Sequence, residues 1–206
     1  ELPLKNVSLV VIDEQHRFGV SQRTKLAKTK EGTTPHLVTM SATPIPRSLA
    51  LTVFGDLDLT VIDEMPPERK PAKTFIVPPQ KRDAAFEFIK DEIKKGHQAF
   101  IVCPLIEESE TLVTVKAATV EFERLKQGVF AKIPIDLLHG RMKSTDKERV
   151  LSKFAKGATK ILVSTAVVEV GIDVPAATVM IIEGVERFGL AQLHQLRGRV
   201  GRSKEQ

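Results

Sequence analysis

Two adjacent carboxylates follow an apolar run near the start of the sequence. Residues 9–12, LVVI, lead directly into DEQH, so Asp13 and Glu14 stand at the end of a predicted strand and His16 lies two residues later. A hydrated Mg²⁺ ion needs only one or two protein carboxylates, and a neighbouring carboxylate can orient a water molecule. The pattern therefore indicates magnesium chemistry or, more simply, a polar strand end exposed to solvent. Zinc is not indicated, because no second His or Cys stands at ligand spacing.

A second group of chemically useful residues lies near the end of the sequence, in QLHQLRGRVGR, residues 192–202. Arg197, Arg199 and Arg202 alternate there with two glycines. Guanidinium forks match phosphate or carboxylate oxygens two at a time, and glycine lets the backbone approach the group that they hold. The run therefore predicts either a phosphate site or a solvated basic turn after a helix.

Short hydroxyl side chains follow another apolar run. HLVTM, residues 36–40, precedes SATPIPR, so Ser41 and Thr43 stand just after the run. Taken by itself, this segment is typical of a helix start, with Thr43 as the N-cap and Pro44 as the first helical residue. Its place after a predicted strand also makes it a candidate for ligand contact.

Runs rich in Val, Ile and Leu recur along the chain without polar alternation. This pattern predicts parallel strands whose two faces are both covered. The predicted strands are residues 7–13, 36–40, 99–103, 135–138, 160–165 and 178–183.

Helical patterns lie between several of these runs. Residues 81–95 repeat apolar side chains at helical spacing and stop at a glycine, which is typical of the residue just past a helix. Residues 145–156 begin with Thr145 and Glu148, three positions apart, which predicts a capping box.

Strands that alternate with helices predict an α/β fold with doubly wound parallel sheets, in which ligands bind at the carboxyl ends of the strands. Residues 63–73, DEMPPERKPAK, carry three prolines among charges and are predicted to be an inter-domain linker. Residues 1–62 hold only two or three predicted strands, too few for a complete domain of this kind. Residues 74–206 hold about four strands and are predicted to form most of a second domain.

Composition narrows the classes of function. Of the 206 residues 42% are hydrophobic, as in globular proteins, and the formal charge of +5 favours a polyanionic partner such as nucleic acid. The single cysteine, Cys103, indicates a reducing compartment, so we expect a cytoplasmic protein. No apolar run has the length of a membrane span, and we expect no membrane partner. Because the sequence does not begin with Met, we expect a piece of a longer protein.

The order of the motifs is more specific than any one of them. VVIDEQH, SAT, FIVCPLI, LLHGRM, VSTAVVEVGIDVP and QLHQLRGRVGR follow one another in the order and approximate spacing of the superfamily 2 helicase and translocase motors. Within this superfamily, DEQHRFGV, CPLIEESE and ERFGLAQLHQLRGRVGRS resemble the bacterial DNA helicases that remodel branched DNA, and the resemblance covers essentially the whole chain. The bacterial transcription-repair coupling translocases share the last of these segments.

This resemblance implies RecA-like domains, here part of the first and most of the second, with ATP and Mg²⁺ bound in the cleft between them. Asp13 would hold the magnesium ion through water, Glu14 would activate the attacking water, and His16 would link the nucleotide site to the opposite domain. Ser41 and Thr43 would couple hydrolysis to DNA contacts.

The implied roles continue in the second domain, and the implied partner is branched or duplex DNA. Four residues would lie near the DNA backbone: His139, Gly140, Arg141 and Thr165. Asp173 would meet the nucleotide ribose, and Gln195 would face the γ-phosphate. Arg199 and Arg202 would stabilise the charge that develops on the transferred phosphoryl group. Arg197 fits neither role.

One element of such a motor is absent from the sequence. A P-loop has the form G-x-x-x-x-G-K-[S/T], and none of the 12 glycines is followed by lysine. We expect the P-loop and the DNA-reading wedge of these helicases upstream in the parent chain, and we expect this polypeptide by itself to hydrolyse ATP at no more than background rate. Two other interpretations stay open. One is a nucleic-acid-binding or partner-docking module with a degenerate motor, and the other is a structural α/β domain in which Asp13 and Arg202 only cap and pair.

Overall fold

The computed structural model describes residues 7–13, 35–41, 58, 60–64, 71–104, 111–165 and 174–201. The chain divides into two compact units, Glu1–Thr60 and Val61–Gln206. Of the predicted linker, residues 63–64 and 71–73 are described, and they lie outside any helix or strand. The linker and the exact domain bounds stay predictions.

In the first unit, the described residues include a pair of parallel strands, β1 (Leu9–Ile12) and β2 (His36–Thr39). The apolar runs predicted both strands correctly. Ile12 is buried, but Leu9 and Val11, which share the opposite face, are each 54% exposed. The prediction that both faces are covered is therefore wrong for this pair. The Val and Ile content of a run reports strand propensity whether or not its second face is packed.

The described part of the second unit contains a four-stranded parallel sheet with the strand order β4-β5-β3-β6. Its strands are β3 (Gln98–Val102), β4 (Ile135–Leu138), β5 (Ile161–Ser164) and β6 (Ala177–Ile182). All four match predicted strands. The inner strands β3 and β5 are buried along their whole length, which confirms for them that both faces are covered. From β3 the chain moves first towards β4 and later to β6 on the other side, so the topological switch point lies between β3 and β5.

Helices cover both faces of this sheet. They are α1 (Arg82–Lys94), α2 (Thr111–Gln127), α3 (Ser144–Ala155) and α4 (Leu190–Arg197). On one face α1 and α2 form a core cluster in which Phe86 and Leu125 join Ile101. On the other face α3 and α4 pack, with the Phe154 ring 4.9 Å from the Phe100 ring. Successive residues of β3 point to opposite faces, so these are two core layers, and the predicted doubly wound α/β fold is confirmed.

The predicted helix over residues 81–95 is observed as α1, which follows a 3-10 turn at Pro79–Lys81. It ends as predicted, at a glycine with left-handed backbone, Gly96 (φ 98°). Among the described helices, none is both long enough and apolar enough to span a membrane.

The capping box predicted for α3 is wrong. The helix begins at Ser144, with Lys143 as the N-cap and no side-chain cap hydrogen bond. Thr145 is therefore the second residue inside the helix, and its hydroxyl lies past the capping position. The amides of Asp146 and Lys147 both donate to the Lys143 carbonyl at 3.0 Å, so a backbone carbonyl begins the hydrogen-bond ladder.

Candidate functional site

The carboxyl ends of β1 and β2 lie side by side in the first unit. Ile12 is paired with Thr39, and the Met40 amide donates a 2.8 Å hydrogen bond to the Ile12 carbonyl. Asp13 and Ser41 come soon after these ends, so the structure brings two predicted site residues to one edge of the strand pair. The other predicted site residues of this unit lie outside the described residues: Glu14, His16 and Thr43.

The side chains at this edge are compatible with a hydrated magnesium ion. Asp13 is exposed at the end of its strand and offers carboxylate oxygens, and Ser41 offers a hydroxyl. Mg²⁺ prefers such oxygens and keeps several of its waters. Within the described ranges there is no group of three or more His, Cys, Asp or Glu that could form a metal cage. The fit requires only Asp13, acting through water.

A second candidate edge lies in the second unit, where β4 and β5 are neighbours. His139 follows β4 and Thr165 follows β5, and the Thr165 amide donates to the Leu138 carbonyl at 3.3 Å. Thr165 is only 2% exposed. Two of the four predicted DNA-contact residues, His139 and Thr165, therefore share one sheet edge, next to the switch point at which open α/β sheets bind ligands.

The His139 imidazole is half-buried in a positively charged setting. Burial is the main cause that lowers the pKa of His139 below 6.5, and the charges of Lys147 and Arg141 lower it further. Its Nδ1 atom is buried without a hydrogen-bond partner in the part of the chain that the structure describes. These effects favour the neutral ring, and the permanent positive charge at this edge belongs to Arg141 and Lys147.

The turn after β4 is held by a lysine that sequence reasoning missed. The Nζ atom of Lys147, in the first turn of α3, donates to the Gly140 carbonyl at 2.7 Å. Within the turn, the Met142 amide donates to the His139 carbonyl at 3.2 Å, and Arg141 is exposed. No sequence pattern links Lys147 to HGR, because the contact depends on how α3 leaves the turn.

The arginine run begins inside α4 and continues as a turn. Arg197 is the last residue of α4, and its exposed Nη2 lies 3.2 Å from His194 Nδ1. Arg199 is half-buried, and its amide donates to the Leu196 carbonyl at 2.9 Å. Leu196 and Val200 are both buried in the core, so the core of the second unit sets the backbone position of Arg199.

The other predicted residues around this run are only partly described. Gln195 is half-buried in α4. Gly198 caps the helix in ordinary right-handed backbone, whereas Gly201 has φ 72° and needs the freedom of glycine. Asp173 and Arg202 lie outside the described residues.

A charged cluster that sequence reasoning also missed lies at the carboxyl ends of β3 and β6. Arg82, the first residue of α1, donates from Nη2 to Glu183 at 2.7 Å and to Glu121 of α2 at 3.0 Å. Arg124 donates to Glu121 at 2.7 Å. Burial, followed by the charges of Glu121 and Glu183, raises the pKa of the Cys103 thiol to about 12. The helix spacing predicts only the Glu121 to Arg124 pair, because the other partners are far apart in sequence.

Comparison with known proteins decides the family. Residues 80–204 match the helicase conserved C-terminal domain. The chain belongs to this family. The ATP-dependent DNA helicase RecG of Thermotoga maritima is 55% identical over 206 residues, which are all of this chain and 26% of that protein. RecG of Bacillus subtilis is 50% identical over 206 residues, 30% of its length. The chain thus spans between a quarter and a third of these helicases.

Solved helicase structures have a fold similar to that of this chain. A structure of RecG bound to a three-way DNA junction matches 98% of this chain with a TM-score of 0.74 and 51% identity, and the match covers 25% of that chain. Saccharomyces cerevisiae Dbp5 bound to RNA and ADP BeF3 matches 98% of this chain and 52% of its own, with a TM-score of 0.60 and 17% identity, which shows the fold alone. The predicted RecA-like fold and the predicted resemblance to a bacterial DNA helicase, RecG, are confirmed.

Proposed function

We propose that this chain is part of the motor of an ATP-dependent DNA helicase and translocase that remodels branched DNA, such as replication forks and recombination intermediates, in DNA repair and recombination. The observation that carries the proposal is 55% identity to a RecG helicase over the whole chain. It is supported by the similarity to a RecG structure bound to a three-way DNA junction. The same proposal places the parent protein in the cytoplasm, with ATP and Mg²⁺ as its cofactors.

In the first unit, the residues at and after the strand ends handle the nucleotide. Asp13 would hold Mg²⁺ through water, and the ion would supply positive charge opposite the phosphates. Glu14 accepts a proton from the attacking water, and His16 couples this site to the rest of the motor. Ser41 and Thr43 couple hydrolysis to the DNA contacts. The exposed carboxylate of Asp13 at the end of β1 supports this assignment.

In the second unit, the edge formed by β4 and β5 contacts the DNA backbone. Arg141 supplies positive charge, and the backbone of Gly140 lets a phosphate come close. Burial favours the neutral form of His139, so its part is that of a hydrogen-bonding group. Thr165 is almost fully buried at the same edge, and its amide joins the end of β5 to the Leu138 carbonyl of β4. The hydrogen bond from Lys147 to the Gly140 carbonyl supports the assignment, because it places a second cation at the contact turn.

The arginine turn acts on the nucleotide. Arg199 and Arg202 stabilise the charge that develops on the γ-phosphoryl group, Gln195 contacts the same phosphate, and Asp173 binds the ribose. Catalytic arginines of this kind contribute about 10³–10⁵ in rate. The anchoring of Leu196 in the core supports this role, because a guanidinium group must be held in place before the reaction to stabilise a transition state.

The decisive experiment measures ATP hydrolysis by the full-length parent protein, with and without forked DNA. Arg202→Ala is expected to lower kcat by about 10³ or more while nucleotide binding persists. Arg197→Ala is the matched control, because it removes the same charge from an exposed position in the same run. If the parent protein binds DNA but does not hydrolyse ATP, the motor interpretation is rejected. The chain would then be interpreted as a nucleic-acid-binding module.

The 206-residue chain by itself provides a second test, because no P-loop motif occurs in its sequence. We expect hydrolysis at no more than background rate. Steady turnover that Glu14→Gln abolishes would contradict this expectation, since it would place a working nucleotide site within these residues.

A further inference from the structure

A cluster of lysines lies at the amino ends of β4 and β5, the sheet edge opposite His139 and Thr165. Lys132 lies in the loop before β4, Lys153 and Lys156 lie at the end of α3, and Lys160 directly precedes β5. We call these four residues the lysine face.

The backbone brings these lysines together. The Lys160 amide donates to the Pro134 carbonyl at 2.8 Å, which joins the loop before β5 to the loop that carries Lys132. The Ala158 amide donates to the Lys153 carbonyl at 3.0 Å, so the end of α3 folds back towards the same place. The lysine face is therefore one surface, built from two neighbouring loops and a helix end.

The segments that supply the lysine face bring no acidic residue of their own. Residues 129–135 and 150–161, which supply the lysine face, contain no Asp or Glu. Asp136, the next residue of β4, accepts a hydrogen bond from the Thr159 hydroxyl. Other lysines at helix ends in this unit differ, since Lys94 pairs with Asp91 at 2.8 Å and Lys95 with Glu92 at 2.7 Å.

The helix dipole explains only part of this charge. Cations stabilise the carboxyl end of a helix, which accounts for Lys153 and Lys156 at the end of α3. The Lys160 Nζ atom also lies near this helix end, because a Cβ added at Gly157 would be 3.9 Å from it. Lys132 precedes a strand and gains nothing from a helix dipole. Since excess charge of one sign destabilises a folded domain by self-repulsion, an anionic partner is the simpler explanation for all four.

The chemistry of the surface points to a phosphate backbone. Lysines act as flexible point charges and lack the rigid planar fork of arginine, which suits them to contacts with phosphate. Several neighbouring residues are small, with Ala131, Ala155 and Ala158 exposed, which leaves room for an extended polyanion. The neighbouring aromatic rings, Phe130 and Phe154, are buried and unable to stack on bases.

We propose that the lysine face binds the phosphate backbone of a duplex arm of branched DNA, as a second contact separate from the one at His139. The choice of DNA as the polyanion rests on the proposed function. Strands of about four residues separate the two edges by roughly 13 Å, so the two sets of contacts engage different stretches of backbone. The arm at the lysine face therefore adds affinity and orients the junction without touching the nucleotide.

The test is a salt titration of forked-DNA binding by the full-length parent protein. Each neutralised phosphate contributes about 0.9 to the slope of log K against log salt, so Lys132→Gln/Lys153→Gln/Lys156→Gln is expected to reduce the slope by between about 2 and 3. The control variant, Lys94→Gln/Lys95→Gln/Lys126→Gln, removes the same charge from other helix ends. It is expected to change the slope by less than about 1. Equal slopes for the two variants would overturn the proposal.

Two further measurements test whether the lysine face binds a duplex arm or a lipid surface. Shortening one duplex arm of the fork is expected to weaken binding of the wild type and not of the lysine-face variant. Lysine-dependent binding to phosphatidylserine vesicles, with an unchanged DNA slope, would assign the face to a lipid surface and overturn the proposal. If the triple variant does not fold by circular dichroism, Lys132→Gln and Lys156→Gln are measured singly, with an expected slope change of about 0.9 each.

ATP hydrolysis by the wild type and by the lysine-face variant tests the proposed function separately from the lysine face. At saturating forked DNA, ATP hydrolysis by the lysine-face variant is expected to equal that of the wild type. A wild type that binds DNA without hydrolysing ATP would refute the motor, and the salt slopes would still decide whether the lysine face contacts DNA.

Discussion

Arg82 and Glu183 are 101 positions apart in the sequence, and their side chains meet at 2.7 Å. The pair joins the first residue of α1 to the residue that follows β6. The Glu183 amide also donates to the Val102 carbonyl at 2.9 Å, so the exit from β6 is fixed by both its side chain and its backbone. The segment that leads to α4 and the arginine turn therefore starts from a defined position on the sheet.

Arg82→Ala is expected to lower the free energy of unfolding by about 1–2 kcal/mol, between the values for surface and buried ion pairs. The side chains of Arg82 and Glu183 are 38% and 25% exposed, so solvent screens part of the attraction. The Arg82 guanidinium also lies 5.3 Å from the centre of the Phe86 ring. Urea denaturation followed by far-UV circular dichroism measures the loss, because the chain has no Trp or Tyr. Glu87→Gln, in an exposed pair with Lys90, is the control, and an equal loss there would contradict the prediction.

Gly184→Ala is expected to destabilise the protein by about 1–3 kcal/mol. Gly184 has φ 59°, which costs other residues about 1–2 kcal/mol, and an added Cβ would lie 3.0 Å from Pro104 Cγ. Two control glycines separate these causes. Gly96 has φ 98° with open space around it, and Gly189 has both open space and ordinary backbone, φ −66°. The melting temperature is expected to fall most for Gly184→Ala and least for Gly189→Ala, and any other order would contradict the explanation.

His139 is expected to make the stability of the second unit depend on pH. Its pKa in the folded protein is lowered below 6.5, chiefly by burial, so the unfolded chain takes up the proton first as the pH falls. The stabilising contribution is therefore complete above pH 6.5 and declines below it, by at most about 1.4 kcal/mol per pH unit. Urea denaturation at pH 7.5 and pH 5.5, compared between the wild type and His139→Gln, measures this difference. The free energy of unfolding of the wild type, minus that of His139→Gln, is expected to decrease as the pH falls. An increase would contradict the prediction.

Cys103 is expected to be unreactive in the folded chain. Burial, with the nearby Glu121 and Glu183 charges, raises the pKa of the thiol to about 12, so at pH 8 about one molecule in 10⁴ carries the reactive thiolate. Because the chain has one cysteine, alkylation by iodoacetamide is followed by mass without ambiguity. Labelling should be slow in buffer and fast in urea. Equal rates would show that the thiol is accessible in the folded protein.

Local patterns were sufficient for much of the fold and for the family. Every predicted strand with described residues is present, since a run such as FIVC has strand propensity and a core to fill. The ordered motifs also led to the correct helicase family, because chemistry at the ends of several strands requires particular residues in a fixed order. Asp13 with Ser41, and His139 with Thr165, lie where a parallel sheet places residues that follow neighbouring strands.

Tertiary structure decided the features that depend on how the elements pack. The sequence did not predict the exposed face of β1, the N-cap at Lys143 or the contact from Lys147 to Gly140. It also gave no sign that Arg82 and Glu183 meet, or that lysines from two loops form one surface. Hydrophobic periodicity and capping motifs act over a few residues, whereas these contacts depend on the strand order and on which face of the sheet each helix covers. The sequence by itself therefore determined the elements and their chemistry, and packing decided which distant side chains meet.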